Sequence, residues 1–271
     1  MEPNDKIILQ VQIITFGQDG IDRLASHNHP AVKGVSWLVS IQAPDGEITI
    51  PESLRHREDF DFVIHNDRGA AKNRNHALDF KCDSELILLS DDDLDYTDIA
   101  LKQLIDAFRT HPDAEMICCR YTCFGKLVKN YGEGEFSLDK TPFGWYPSAV
   151  EIAFRRKSLG NVRFNENFGP GSGGFIAGDD SVWYVDMLRK GVNGIGMPIT
   201  ICSHDAPTQS LKQQTNPEFL KSYGACMIHS KPYSWLPRLF LHAHRTPMPF
   251  FKCLRYTFTG AILAVRKRVF R

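Results

Sequence analysis

Short runs of apolar and β-branched residues recur along the first 205 positions, separated by polar stretches rich in Gly, Asp, Asn and Pro. Residues 7–16 (IILQVQIITF), 35–41 (VSWLVSI), 61–65 (DFVIH), 86–90 (LILLS), 116–122, 149–155 and 196–202 each predict a strand. Several of these runs have no polar face, as expected of parallel strands buried on both sides. A helical period shows over residues 99–108, where Ile99, Leu101, Leu104, Ile105 and Phe108 form a stripe that Pro112 ends. Asp95 or Thr97 is positioned to cap that helix. Helices are also predicted over 70–80 and over 181–190, the second closed by Gly191. Between the first two strands the pattern predicts a loop at Thr15-Phe16-Gly17, and residues 124–147 read as irregular surface. Alternating strands and helices predict an α/β fold, with a mostly parallel sheet between helices.

The run at 86–90 differs from the others at its end. Asp91, Asp92 and Asp93 come where that strand should stop. Three adjacent carboxylates repel one another, and a divalent cation relieves the repulsion because hard cations take oxygen ligands. Ligands of open α/β sheets bind at the carboxyl ends of strands. A solvated acidic turn gives the same letters, so the rest of the chain has to decide.

Composition narrows the class. Apolar content of 42% and charged content of 24% fit a globular chain with a full core, and 271 residues suit one large domain with an appendage. Seven cysteines, two of them adjacent (Cys118 and Cys119), read as a reduced cytosolic set rather than a disulfide framework. No basic-then-apolar leader comes after Met1, and no apolar run approaches the roughly 20 residues that span a bilayer. The net charge of zero is unevenly placed. Residues 221–271 carry ten Lys or Arg and no acid, whereas the first 220 residues hold 22 basic residues against all 32 acids, a net of −10. Such asymmetry implies an anionic partner for the basic segment. Within it, residues 249–271 place Phe251, Leu254, Phe258, Ala261, Ile262, Val265 and Val269 on one helical face flanked by Lys and Arg. That is the pattern of a basic amphipathic helix on a membrane surface, or of a helix packed on the domain.

Further along stand a glycine-rich loop, residues 168–174, and then Gly178-Asp179-Asp180 immediately before a predicted helix. A helix N-terminus favours ionised carboxylates, which are able to accept a proton. The loop matches a dinucleotide-binding fingerprint by letter, but it comes late and does not open a helix after the first strand, so it is read as backbone lining an acceptor cleft. Ser203-His204 comes just after the last strand.

Taken in order, Gly69-Ala-Ala-Lys-Asn-Arg-Asn75, Leu89-Ser-Asp-Asp-Asp93, Arg163-Phe-Asn-Glu-Asn-Phe-Gly169, Gly178-Asp-Asp180 and Ser203-His204 resemble the family 2 glycosyltransferases. These are inverting, nucleotide-sugar-dependent enzymes of the GT-A fold, and the resemblance covers roughly residues 6–210. It implies a GT-A catalytic domain over 1–209, with a C-terminal helical, basic extension over 210–271. It implies Mg²⁺ or Mn²⁺ held by Asp91, Asp93 and His204, and a donor site including Thr15, Phe16, Asp45, Arg74, Asn75, Asp91 and Asp92. Asp180 is implied as the general base for the acceptor hydroxyl, with Asp179 as its acceptor-site partner. The implied activity is transfer of one sugar to a glycan or lipid-linked acceptor in cell-surface polysaccharide synthesis. The enzyme would be peripheral on the cytoplasmic face of an anionic membrane, with no nucleic-acid partner.

Two departures limit the resemblance. The first strand ends in Thr15-Phe16-Gly17-Gln18, where the family has Thr-Tyr-Asn-Arg or similar, and only Asp45 stands near the end of the second, where acids usually read uracil. The nucleobase is therefore open. A Gln-x-x-Arg-Trp motif and several spanning helices, which mark processive synthases, are both missing from the sequence. The alternatives are a metal-dependent nucleotidyltransferase and a non-catalytic nucleotide-sugar-binding scaffold.

Overall fold

The computed structural model describes residues 7–142, 145–205 and 213–270. Contacts divide the chain into two units interleaved in sequence. The first takes Met1–Asp67, Asn73–Val162 and Met187–Ala206, and the second takes Arg68–Lys72, Arg163–Asp186 and Pro207–Arg271. The boundary expected after residue 209 lies outside the described residues.

The first unit holds the sheet. β1 (Leu9–Phe16), β2 (Val35–Gln42), β3 (Phe60–His65) and β4 (Leu86–Asp91) are parallel, in the spatial order β3-β2-β1-β4. All eight residues of β2 are buried, its Ser40 and Gln42 by pairing with Asn73 and Asp67, and so are the first five of β4, an almost wholly apolar stretch. The order reverses at β1, so the carboxyl ends of β1 and β4 flank a topological switch point, the usual ligand crevice of such sheets. β5 (Asp95–Tyr96), β6 (Met116–Cys123), β7 (Lys126–Leu127), β8 (Phe136–Ser137), β9 (Ile152–Arg155) and β10 (Gly194–His204) complete it. β9 lies antiparallel between β4 and β6, and β10 runs parallel to β6.

The α-helices of the described residues are α1 (Gly17–Ser26), α2 (Glu52–Arg55), α3 (Ala70–Asp79), α4 (Asp98–Thr110), α5 (Arg156–Leu159), α6 (Asp179–Arg189), α7 (Pro217–Ser230), α8 (Trp235–Arg245) and α9 (Phe250–Arg266). Thr97 caps α4, its hydroxyl accepting from the Ala100 amide. Three expectations are corrected. The loop expected after the first strand is helix α1, which buries Ile21 and Leu24. Its Gly17 and Gly20 lower the helix propensity and only Ile21, Leu24 and Ala25 are apolar, so tertiary burial supplies what propensity does not. Ile99 is 63% exposed in the first turn of α4, outside the stripe that Leu101, Leu104, Ile105 and Phe108 do bury. The stretch 124–147 is partly ordered as β7, β8 and a 3₁₀ turn at Leu138–Lys140. It is anchored by Lys129, whose ammonium donates to the fully buried carboxylate of Glu151 at 2.6 Å and lies under 6 Å from the rings of Tyr121, Tyr131 and Tyr146.

An aromatic cluster closes the core under β2. The His29 ring meets Trp37 edge-on at 4.9 Å, and Phe60 stacks on Trp37 at 5.7 Å. Burial lowers the His29 pKa from 6.5 to about 4, against the raising effect of its hydrogen bond to the His27 carbonyl. The unfolded chain therefore binds a proton below about pH 6.5 that the folded chain refuses until about pH 4. Stability conferred by the neutral imidazole is present above that window and lost as pH falls through it, on the order of 3 kcal/mol in all. The difference in urea unfolding free energy between the protein and His29→Phe should change by about that much between pH 7 and pH 4. A difference that stays constant with pH would contradict the burial of a neutral His29.

The second unit is helical. Asn216 caps α7 by accepting from the Glu218 amide, with Pro217 in the first turn. α9 crosses α7 at very short range. A Cβ on Gly224 would lie 1.8 Å from the Thr257 carbonyl oxygen, and one on Gly260 would lie 1.9 Å from that of Lys221. The face that α9 buries is thus the small one: Cys253, Thr257, Gly260, Ala261 and Ala264. Of the stripe expected to act together, Ala261 and Val269 are buried, whereas Phe251, Phe258, Ile262 and Val265 are exposed. After α9 the chain packs back. Phe270 stacks on Phe168 at 5.4 Å and on His229 at 4.2 Å, and the Asn165 amide donates to the Val269 carbonyl at 2.5 Å.

Candidate active site

Four apolar residues of β4 and the buried Ser90 fix the backbone that presents the three acids, and each acid then meets a different neighbour. Asp91 accepts from the Arg74 guanidinium at 2.6 Å. The Arg74 side chain is buried behind it in α3, where it also reaches the Ser90 carbonyl. Asp93 lies 2.8 Å from Nε2 of His204, the last residue of β10. The carboxylates of Asp91 and Asp93 are 43% and 38% exposed. Asp92 turns the other way. It is buried and accepts from the Thr15 hydroxyl at 2.5 Å and from Nε and Nη2 of Arg23 at 2.9 Å each. Burial raises its pKa above the ordinary carboxylate range, opposed by Thr15 and then by Arg23. Asp92, expected in the donor site, is thus held by three donor atoms of Thr15 and Arg23.

Those donors fit because α1 approaches closely. A Cβ on Gly20 would fall 2.1 Å from the Thr15 hydroxyl oxygen and 2.9 Å from Asp92 Oδ2. Asn73 ties the sheet ends together, donating to the carbonyls of Thr15 and Ser40 and accepting from the Ser40 hydroxyl at 2.6 Å. Tyr96, fully buried on β5, donates to Ser90 Oγ at 2.7 Å. Sequence reasoning misses Arg23, Asn73 and Tyr96. Only Asn73 has a signal there, its place in the run from Gly69 to Asn75.

The other donor-site candidates lie around the same strand ends. Phe16 is exposed at the tip of β1, paired in register with Gln42 of β2. Asp45 is exposed in the turn after β2, and Asn75 is buried in α3. Beside them Gln42 donates to Asp67 Oδ1, and Asp67 Oδ2 meets Nε2 of His76, whose ring stacks on His65 at 3.8 Å.

Asp179 and Asp180 open α6 in the second unit. Gly178 precedes them with φ +95°, and a Cβ there would strike the Cys226 sulfur at 2.1 Å. Burial pushes the Cys226 thiol pKa up, helped by the Asp180 and Asp179 carboxylates. Asp179 is buried, with Gly169 so close that its Cβ would sit 2.8 Å from the Asp179 carboxyl carbon. Asp180 is partly exposed and accepts from the Ser181 amide at 2.7 Å. The glycine-rich loop is closed at its base by the stacked Phe168 and Phe175 and by the Phe175 amide on the Asn167 carbonyl. It also touches the start of α3, where the Ala70 amide donates to the Pro170 carbonyl at 2.9 Å.

A sheet with its strand order reversing beside an acid-tipped strand, and a second acid pair at a helix start, define the GT-A class of nucleotide-sugar transferases. The family model of glycosyl transferase family 2 matches residues 44–183, and the chain belongs to that family. Solved structures agree in fold. S. aureus TarS shares 15% identity at a TM-score of 0.57, over 96% of this chain and 54% of that one. The chain thus spans about half the length of that relative. TarS 1–349 in complex with UDP-GlcNAc matches at 13% identity and TM-score 0.59, over 96% and 92% of the two chains. The mannosyltransferase PcManGT from Pyrobaculum calidifontis, in complex with GDP-Man and Mn²⁺, matches at 15% and 0.51, over 97% and 76%. No curated protein matches the chain.

Proposed function

We propose that the protein transfers one sugar, with inversion, from a nucleotide-sugar donor to a hydroxyl of a glycan or lipid-linked acceptor, in cell-surface polysaccharide synthesis. The observation that best supports this is the split of the three acids. Asp92 is consumed by Thr15 and Arg23, whereas Asp91 and Asp93 offer partly exposed carboxylates at the switch point of a family 2 chain. Those two are hard oxygen donors suited to Mg²⁺ or Mn²⁺. Among the described residues no three His, Cys, Asp or Glu side chains form a ready-made cage. In this reading Asp91, Asp93 and His204, which are not already drawn together as a cluster, would hold the ion, and its charge would offset that of the departing nucleoside diphosphate.

The chain's own groups do the rest. Arg74 keeps Asp91 oriented from its buried side. Thr15 and Asp92 brace the end of β1, and Phe16, Asp45 and Asn75 border the donor. Asp180 takes the proton of the acceptor hydroxyl, since it is more exposed than Asp179 and sits at the start of α6. Asp179, wedged against Gly169, orients the acceptor side. Residues 1–209 form the catalytic domain and 210–271 a basic extension that keeps the enzyme on the cytoplasmic face of a membrane. Relatives in complex with UDP-GlcNAc, or with GDP-Man and Mn²⁺, support the donor class and the metal.

A panel of nucleotide sugars in thermal-shift measurements, with and without Mn²⁺, tests the reading. One donor is expected to raise Tm, and to do so only with the metal. No shift with any nucleotide sugar, or a shift indifferent to the metal, would count against it.

A further inference from the structure

No helix of the described residues is long and apolar enough to cross a membrane. Yet α8 and α9 leave large apolar side chains in water. Phe251 is 82% exposed and Val265 58%, and Phe258, Ile262, Leu236 and Phe240 are exposed as well. At 3.6 residues per turn, Phe251, Phe258, Ile262 and Val265 fall within roughly 60° of arc on α9. Trp235 stacks on Phe258 at 5.8 Å, and Phe240 meets Phe250 at 6.1 Å, so the exposed faces of the two helices join. α9 spends its small face on α7, and beyond the Trp235–Phe258 stack its Phe251, Ile262 and Val265 stay exposed.

We infer that this α8–α9 face is a docking surface for an anionic phospholipid bilayer. The inference rests on the proposed membrane-side function and adds the surface that performs it. Charge selects the occupant. Residues 219–271 contain ten Lys or Arg and no acid. By the same count Arg255 and Arg266 flank the apolar stripe, within about 40° of its edge, and Lys252 lies about 80° round from it. A second copy of this face would bring like charge against like charge, whereas anionic headgroups complement it, each Lys or Arg adding about fivefold to binding near such a surface. Aromatic side chains at the headgroup boundary supply the insertion that charge alone lacks.

The end of α9 carries a second sign. The Val269 amide donates to the Ala264 carbonyl and the Arg268 amide to the Val265 carbonyl, the pairing of a Schellman cap. Arg268 takes the left-handed position, φ +53°, which glycine fills in most such caps. It lines a shallow recess of about 400 Å³ with Ala264, Val265 and Phe270, at the end of the exposed stripe. At that position the Arg268 guanidinium is available to a lipid phosphate at the end of the stripe.

Co-sedimentation of the full chain with phosphatidylcholine vesicles, with and without phosphatidylglycerol, tests this. The protein should bind the anionic vesicles at low salt and be largely released at high salt. Phe251→Ser with Val265→Ser should lower binding by about tenfold or more while Tm and donor hydrolysis stay unchanged. Arg268→Gly should keep or raise Tm, because the strain goes, yet weaken anionic binding by about fivefold. Equal binding to neutral and anionic vesicles would overturn the inference. So would variants that bind like the parent, or a dimer that the Phe251→Ser, Val265→Ser pair dissociates. Vesicle binding lost with donor hydrolysis retained bears on the surface alone. Vesicle binding retained in a protein that turns over no nucleotide sugar bears on the catalytic reading instead.

Discussion

Replacing Asp180 by Asn is expected to lower kcat by about 100-fold or more while leaving donor affinity unchanged. Asn preserves size and the hydrogen bond from the Ser181 amide, which reaches Asp180 Oδ1 at 2.7 Å. It cannot take a proton from a hydroxyl, so the loss falls on the chemical step. Asp179 provides the internal comparison. Its carboxyl is buried against Gly169, and Asp179→Asn should therefore disturb acceptor KM and local packing more than kcat. Steady-state kinetics on both variants with a fixed donor separates the roles. A larger kcat loss for Asp179→Asn would reverse the assignment within the pair.

Asp93→Ala should abolish metal-dependent donor binding in a protein that remains folded. The Asp93 side chain is 38% exposed and reaches His204 at the outer end of β10, so its removal opens no core cavity. What disappears is one of two partly exposed oxygen donors at the tip of β4, and a small hard cation has few other ligands there to fall back on. Titration calorimetry with the nucleoside diphosphate of the preferred donor should show binding to the parent protein with Mn²⁺ and none to the variant at the same concentrations. Unchanged affinity would remove Asp93 from the metal site.

The strands are legible in the sequence because β1, β2 and β4 are almost wholly buried and so are dense in apolar and β-branched residues, with Gln10, Gln12, Ser36 and Ser40 as the buried polar exceptions. The acids stand out because three carboxylates at a strand tip are costly unless something answers each of them. The groups that answer them are hidden. Arg23 reaches Asp92 across 69 positions of sequence, and His204 reaches Asp93 across 111, and no local pattern encodes either contact. Helix α1 reads as a loop because the glycine that lets it touch Thr15 and Asp92 is also the residue that weakens the helical signal. α9 reads as having one large apolar face because periodicity weighs Phe and Val heavily and Gly and Ala lightly. In the packed unit the order inverts, and Gly260 and Ala261 go inside while Phe251 and Val265 stay out. Cys226 beside Gly178 has no signal at all, being an ordinary buried thiol until the fold sets it against the acid pair.

Inverting transfer with a nucleoside diphosphate as leaving group is tested most directly by identifying both products of one turnover. Proton NMR on the reaction with the preferred donor should show a new glycosidic bond whose anomeric configuration is opposite to that of the donor, with nucleoside diphosphate released in equal amount. A product that retains the donor's configuration would contradict inversion by Asp180, and release of pyrophosphate would contradict sugar transfer itself.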